Sequence, residues 1–275
     1  VFRPYYKRIK MTIKKVLAKS YLGLVLLMLY LPIIFIAVFS FTTAKSLGNW
    51  TGFTFQLYEN LFTGANSSSV ALLSALKNTI LIALMASAVS TVLGTLAAIG
   101  IYNMRGRAKR TIQFLNNVPM LNPDIITGVS LFLLFVFLHV SKGYVTVVLA
   151  HITFCTPYVV LNVLPRLTQL NPNIYEAALD LGATPSQALR KVLIPQLRPG
   201  MVSGFILAFT MSLDDFAVTY FTAGSSGLET LSTYIYADAR KGGLTPELKP
   251  MMTIIFLIVL LVLFFVNFRK IKKQK

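Results

Sequence analysis

Long apolar runs recur along these 275 residues, near 20–41, 76–102, 112–140, 145–164, 201–221 and 251–268. A helix rises 1.5 Å per residue, so about 20 such residues cross the hydrocarbon of a bilayer. With 55% hydrophobic and only 13% charged residues, the chain cannot bury this surface in one soluble core. The runs predict an all-α integral membrane protein with six transmembrane helices.

The net charge of +17 is sorted by loop. Seven Lys or Arg precede the first run, four lie between the second and third, four between the fourth and fifth, and five follow the sixth. Only Lys45, Lys77, Lys142, Arg240, Lys241 and Lys249 fall on the other side. Cationic loops stay in the cytoplasm, so both termini and the segment 172–198 are expected there. The charge is topology, and no nucleic-acid partner is expected. The organisation is then a basic cytoplasmic N-terminal segment at 1–19, a six-helix membrane domain at 20–268 and a basic cytoplasmic tail at 269–275. Met11, heading a basic flank and the first run, is an expected start residue, and that run is read as an uncleaved anchor.

Catalytic signatures are missing from the sequence. No GxxxxGK[ST] loop occurs, so ATP hydrolysis on this chain is not expected, nor is any catalytic residue. The single cysteine, Cys155, leaves no disulfide framework and no thiolate metal cluster. His151 and Cys155 share one helix face at i, i+4, but with only His139 as a further histidine, packing or a local hydrogen bond is the better reading than a metal site. No cofactor or metal is expected on this chain.

Acidic residues inside apolar runs are costly and mark sites. The third run opens as "NNVPMLNPDIITGVSLF", where Pro119 and Pro123 each lack an amide donor and Asp124 follows at once. Broken backbone at membrane depth must line a cavity or be buried in protein. A break near the cytoplasmic surface would instead make the prolines the start of the span and Asp124 an N-terminal helix charge. The fifth run, "MVSGFILAFTMSLDDFAVTYFTAG", holds Asp214 and Asp215. Adjacent positions of one helix point about 100° apart, so one is expected to line a path and the other to cap or brace a helix.

Trp50, the lone tryptophan, is an interfacial anchor or a ring face for a cationic ligand, with Tyr58, Tyr234 or Tyr236 beside it. Carboxylates with aromatic faces suit an alkylammonium ion. In the second run Ala86, Ser90, Gly94 and Ala98 repeat every fourth residue and predict close helix contact. The polar, aromatic-rich loop after the first run is expected to be ordered against the membrane surface.

"EAALDLGATPSQALRKVLIP", Glu176 to Pro195, reads as two short helices about Gly182. Asn171, Pro172 and Asn173 lead into the first, Gly182 ends it through a left-handed conformation, and Thr184 with Pro185 starts the second. Tethered between spans, this elbow could scarcely enter a DNA groove. A solvated amphipathic loop is the plain alternative to a docking element.

The stretch resembles the EAA motif of ABC-importer permeases: Glu176, Ala177, Ala178, Gly182 and Pro195 match, with Val192 and Ile194 as aliphatic replacements. The resemblance implies the type I ABC-importer permease fold. It makes Glu176, Ala177, Ala178, Gly182, Ile194 and Pro195 the ATPase-coupling residues. It also implies the usual partners: a second, homologous permease chain in a heterodimer, two ATP-binding subunits that hold ATP and Mg, and an extracytoplasmic substrate-binding protein, in a bacterial inner membrane.

More narrowly, "NWTGFT", "NPDII", "HITFCTPYVV" and "SLDDFAV" resemble the polyamine (spermidine/putrescine) permeases of that class. By that likeness Trp50, Asp124 and Asp214 or Asp215 are candidates to line a polyamine path; Tyr234, as an aromatic face, and Glu229, in an outer loop, are further candidates. Other cargo such as ferric iron or thiamine fits the same elbow. Anionic cargo would favour Arg or Lys deep in a span, where none lies. An ion-coupled secondary carrier could use the same aspartates but would leave the elbow without a purpose.

Overall fold

The computed structural model describes the backbone of residues 3–44, 48–225 and 227–273, and the side chains of 17–44, 48–225, 227–261 and 264. Of the basic terminal segments expected at 1–19 and 269–275, all side chains except 17–19 lie outside the described residues, as does Lys45. Among the described residues every regular element is helical. Contacts divide the chain into two compact units, Leu73–Ala237 and Val1–Leu72 with Asp238–Lys275.

In the second of these units, α1 (Arg3–Phe39) packs on α12 (Leu248–Lys273), with the rings of Tyr30 and Phe256 6.4 Å apart. The loop after α1 folds back on itself, as its composition suggests. Ser40 Oγ and Tyr58 OH are 2.7 Å apart, and Thr42 and Thr51 share a hydroxyl hydrogen bond of 2.8 Å. The rings of Phe41, Phe53, Phe55 and Tyr58 stack around it, and the short α2 (Gln56–Thr63) closes the loop on Gly64 at φ 63°. Buried Lys249 donates to the Ala44 carbonyl, and buried Glu247 accepts from Asn66 Nδ2 at 3.0 Å.

The unit Leu73–Ala237 is built around α6 (Tyr144–Gln169), which buries Val147, Ala150, Cys155, Val159 and Val163. On one side lies α3 (Ser67–Asn103), and the expected smooth face is the one in contact. Ala86, Ser90, Gly94 and Ala98 are all buried, and Ser90 Oγ donates to the Ile152 carbonyl at 3.1 Å. On another side α9 (Ile194–Asp214) brings Gly200 and Gly204 onto α6, where added Cβ atoms would come within 3.1 Å of Asn162 O and 3.2 Å of Val159. Glycine lets the backbones approach this closely.

Two expected single spans are broken. The run 112–140 is a pair, α4 (Gly106–Leu121) and α5 (Asp124–Phe137), bent by 107°. Pro119 does not interrupt α4, which continues until the Asn122 N–H meets the Val118 carbonyl at 3.3 Å. The break belongs to Pro123 alone, which has no N–H to carry the helix on and disfavours helical backbone at Asn122, where ψ is 141°. The run 201–221 is likewise not one helix: it ends at Asp214, and α10 (Ala217–Ala223) follows separately. α5 meets α10 at Gly128, where a Cβ would lie 3.0 Å from Ala217 O.

Among the described residues four helices are each long and apolar enough to cross a bilayer, at Leu17–Phe39, Ser67–Asn103, Tyr144–Gln169 and Pro185–Asp214, and the bent pair makes a fifth if it counts as one span. The remaining expected run lies in α12, whose apolar helix is described over Leu248–Leu261.

Candidate functional site

The Asp214–Asp215 pair sits at the helix break, not on one continuous helix. Asp214 is the last residue of α9 and its side chain is exposed. Asp215 leaves the helix at φ −65°, ψ 133°, and its carboxylate turns onto the start of α10. Its Oδ1 accepts the Val218 N–H at 3.1 Å, and its Oδ2 accepts the N–H and the hydroxyl of Thr219, each at 2.8 Å. These are amide donors that a helix start leaves without intrahelical partners, so Asp215 caps α10. One aspartate of the pair caps a helix, as expected, and a break in the chain, not the 100° step of a helix, turns the two apart.

His151 of α6 reaches the same place. Its Nδ1 is 2.6 Å from Ser212 Oγ, its Nε2 is 2.9 Å from Thr219 Oγ1 and 3.4 Å from Asp215 Oδ2, and the side chains of His151 and Asp215 are 1% and 5% exposed. Thr219 spends its one hydroxyl proton on Asp215, so it accepts from Nε2–H, while Nδ1 and the Ser212 hydroxyl share a hydrogen bond in which either atom can donate. The buried polar groups are thereby satisfied. Cys155 takes no part in it, its Sγ donating to the Ala208 carbonyl at 3.4 Å, and among the described residues no group of three or more His, Cys, Asp or Glu could hold a metal. The hydrogen-bond reading of His151 holds, but its partners lie more than 60 positions away, beyond the reach of local pattern.

Other expected path residues take separate places. Asp124 heads α5 with its side chain exposed, at the break after Pro123. Glu229 is half-buried, its carbonyl accepting from Asn78 Nδ2 at 3.0 Å, and Tyr234 is half-buried in α11 (Leu231–Arg240). Ser232 of the same helix donates to the Asp215 carbonyl at 2.6 Å, which ties α11 to the break. A ring cluster borders it: Phe216 stands 4.7 Å from Tyr236 and 5.3 Å from Tyr220. Trp50 belongs to the other compact unit, where it is 48% exposed and meets Phe39 edge-on at 5.8 Å.

The elbow forms as its residues dictate. Asn171 Oδ1 accepts the Asn173 N–H at 3.0 Å, and α7 (Ile174–Asp180) follows with Glu176 in its first turn. Gly182, at φ 85°, turns the chain so that its N–H reaches Leu179 O at 2.8 Å and Ala183 N–H reaches Ala178 O at 3.1 Å. Thr184 and Gln187 form a reciprocal capping box at the head of α8 (Pro185–Gln187). The second helix is not short: a π-helical turn, Ala188–Leu193, carries it without interruption into α9, with Ile194 and Pro195 half-buried at the junction. Pro195 lacks the N–H that would continue an ordinary α ladder, which suits a wider turn there. Leu181 projects at the tip, 90% exposed. Beneath the elbow a cleft of about 640 Å³ runs from Tyr102 and Asn103 of α3 to Tyr175, Glu176 and Arg190.

Residues 90–270 match the family described as the binding-protein-dependent transport system inner membrane component. The chain belongs to that family. The matched segment holds both broken helices, the His151 network and the elbow. Among similar proteins, the spermidine/putrescine transport system permease protein PotC of Haemophilus influenzae is 36% identical over 244 residues, 89% of this chain and 92% of that one. PotC of Escherichia coli K12 is 37% identical over 232 residues, 84% and 85% of the two chains. The putrescine transport system permease protein PotI of the same strain is 36% identical over 234 residues, 82% and 81%. In fold, a chain of a bacterial ABC transporter that imports alginate covers 98% of the permease and 100% of itself at a TM-score of 0.63 and 17% identity. A chain of the inward-facing MetNI methionine ABC transporter covers 74% and 96% at 0.57 and 20%. The permease is thus a multi-pass transport component of the membrane with an ABC-importer permease fold.

Proposed function

We propose that the permease moves polyamines of the spermidine and putrescine class across the bacterial inner membrane. The observation that carries the cargo is the 36–37% identity, over most of both chains, to permeases of spermidine/putrescine transport systems. The chemistry agrees with it. A polyamine is a chain of ammonium charges on methylenes, and it needs carboxylates at intervals with apolar faces between them. Asp214 and Asp124, exposed at two helix breaks, suit the ammonium groups, and the paired rings of Phe216 and Tyr220 suit the methylenes and the cation. The capping role of Asp215 favours Asp214 as the carboxylate that meets cargo, while Asp215 shapes the path from behind. Glu229 and Tyr234 are further proposed path residues of this unit, and Trp50, in the other unit, is proposed as a ring face for the same cargo. Affinity along the path stays modest, because a site that holds tightly cannot release.

Six spans with both termini in the cytoplasm fit the distribution of Lys and Arg, the bent pair counting as one span and α12 as another. The domain at 20–268 then lies between basic cytoplasmic ends at 1–19 and 269–275. The elbow within 172–198 faces the cytoplasm and seats in an ATPase subunit through Glu176, Ala177, Ala178 and Gly182. Two such subunits, carrying ATP and Mg, a second homologous permease and an extracytoplasmic binding protein complete the importer. Because the elbow runs unbroken through Ile194 and Pro195 into α9, closure of the ATPases pulls on a rigid helix that ends at Asp214. Rigid-body motion of this kind switches access between two packed states.

The experiment is uptake of labelled spermidine into liposomes holding the full complex, with and without ATP. ATP-dependent uptake that is lost in Asp214→Asn with assembly intact supports the reading. A complex that hydrolyses ATP normally in response to its binding protein yet moves no spermidine or putrescine overturns the cargo.

A further inference from the structure

His151 holds both halves of the broken helix at once. Ser212 lies in the last turn of α9 and Thr219 in α10, on opposite sides of Asp214–Phe216, and one imidazole from α6 bonds to each. The chain links Ser212 Oγ to Nδ1, Nε2–H to Thr219 Oγ1, and the Thr219 hydroxyl to Asp215 Oδ2. Each ring nitrogen is used once, on a different element, so the chain joins both halves in one geometry. Asp215 in turn holds the first turn of α10.

We infer that His151 is a positioning residue for cargo binding: it sets the angle between α9 and α10 and thereby fixes where the Asp214 carboxylate stands. The inference rests on the polyamine reading above. It does not require His151 to touch cargo, and at 1% side-chain exposure it is shielded from it. Its rigidity has a physical source. The imidazole is planar and its two nitrogens point apart, so a single rotamer satisfies partners on two elements. A flexible amide, with its donor and acceptor on one carbon, can reach one of the two partners but not both in this geometry.

The test uses the whole complex in liposomes, with rates normalised to assembled complex. The wild type is assayed first: absence of ATP-driven polyamine uptake there sinks the polyamine reading itself, before any variant is made. With uptake established, His151→Ala is expected to raise the KM for spermidine about tenfold, while the maximal rate falls less than about twofold, the scale set by losing one or two net hydrogen bonds at a binding site. His151→Gln, which keeps one bond, is expected to recover part of the KM. A role confined to packing lowers the amount of complex and leaves its KM unchanged, and that result overturns the proposal. If His151→Ala does not assemble, Ser212→Ala and Thr219→Val cut the two ends of the chain separately. A wild-type KM in both of those variants overturns it equally.

Discussion

A Cβ added to Gly94 would stand 2.6 Å from Cβ of Val159, and one added to Gly204 of α9 would stand 3.2 Å from Cγ1 of the same valine. Val159 is fully buried, so α3, α6 and α9 meet at one side chain. Real Cβ atoms do not approach as closely as 2.6 Å. Gly94→Ala is therefore expected to force α3 and α6 apart, at about 1–3 kcal/mol for overpacking. The Gly94→Ala, Val159→Gly double variant, which removes the clashing Cβ, is expected to regain part of the loss. Thermal unfolding of the purified permease in detergent reads both, and an unaltered midpoint in Gly94→Ala would remove the three-helix junction as a determinant of the fold.

The two adjacent aspartates should separate cleanly on substitution. Asn keeps one of the two acceptor oxygens and turns an NH2 toward a donor in place of the other, so Asp215→Asn is expected to keep the fold with a loss of about 1–2 kcal/mol, whereas Asp215→Ala leaves the amides of Val218 and Thr219 without an acceptor and costs about 2 kcal/mol or more. Asp214→Asn, altering an exposed residue, is expected to leave stability within about 0.5 kcal/mol and to depress polyamine uptake. Thermal midpoints and uptake on the same preparations check the pair. Equal stability losses at 214 and 215 would contradict the division of labour between cap and path.

The apolar runs were enough to find the helices, because about 20 apolar residues have few alternatives to a span. The elbow was legible almost residue by residue, since Asn171, Gly182, Thr184 and Pro185 act through contacts within four positions. Its continuation through the π-helical turn was not, because Pro195 reads locally as a stop. Pro119 misled in the opposite direction, being carried inside α4. The break at Asp214–Asp215 had no marker at all: "SLDDFAV" contains neither Pro nor Gly. What stabilises it is His151 on α6 and Ser232 on α11, and such partners become visible only once the chain has folded. The same holds for the separation of the two aspartates into cap and exposed carboxylate.

In the unit of Val1–Leu72 with Asp238–Lys275, Glu247 is 4% exposed and accepts from Asn66 Nδ2 at 3.0 Å, while buried Lys249 two residues on donates to the Ala44 carbonyl. Together they hold the loop after α1 to the head of α12. Truncating Glu247 to Ala leaves the Asn66 amide without this acceptor, at an expected cost of about 1–3 kcal/mol. Glu247→Gln keeps an acceptor and should cost less than half as much. Limited proteolysis of the loop after α1 is the sensitive readout: faster cleavage in Glu247→Ala than in Glu247→Gln is expected, and identical cleavage patterns would show that the loop is held by its ring cluster alone.

The elbow offers the sharpest separation between folding and coupling. Gly182 sits at φ 85° with open space around the position of a Cβ, so Gly182→Ala meets no clash and carries only backbone strain, about 1 kcal/mol, which falls on the turn between α7 and α8. Leu181, 90% exposed beside it, contributes little to the isolated fold, yet a leucine so placed is apolar surface waiting for a partner. Leu181→Glu is therefore expected to leave the thermal midpoint of the isolated permease within about 1 °C, in line with an exposed substitution, while weakening its complex with the ATPase about tenfold, the effect of losing one interface anchor. Gly182→Ala should reduce cargo-stimulated ATP hydrolysis more than it reduces assembly, because it distorts the angle of the elbow without removing its contact surface. Co-purification and ATPase assays on the two variants distinguish these effects. Full ATPase binding and full stimulation in Leu181→Glu would place the coupling surface elsewhere on the permease.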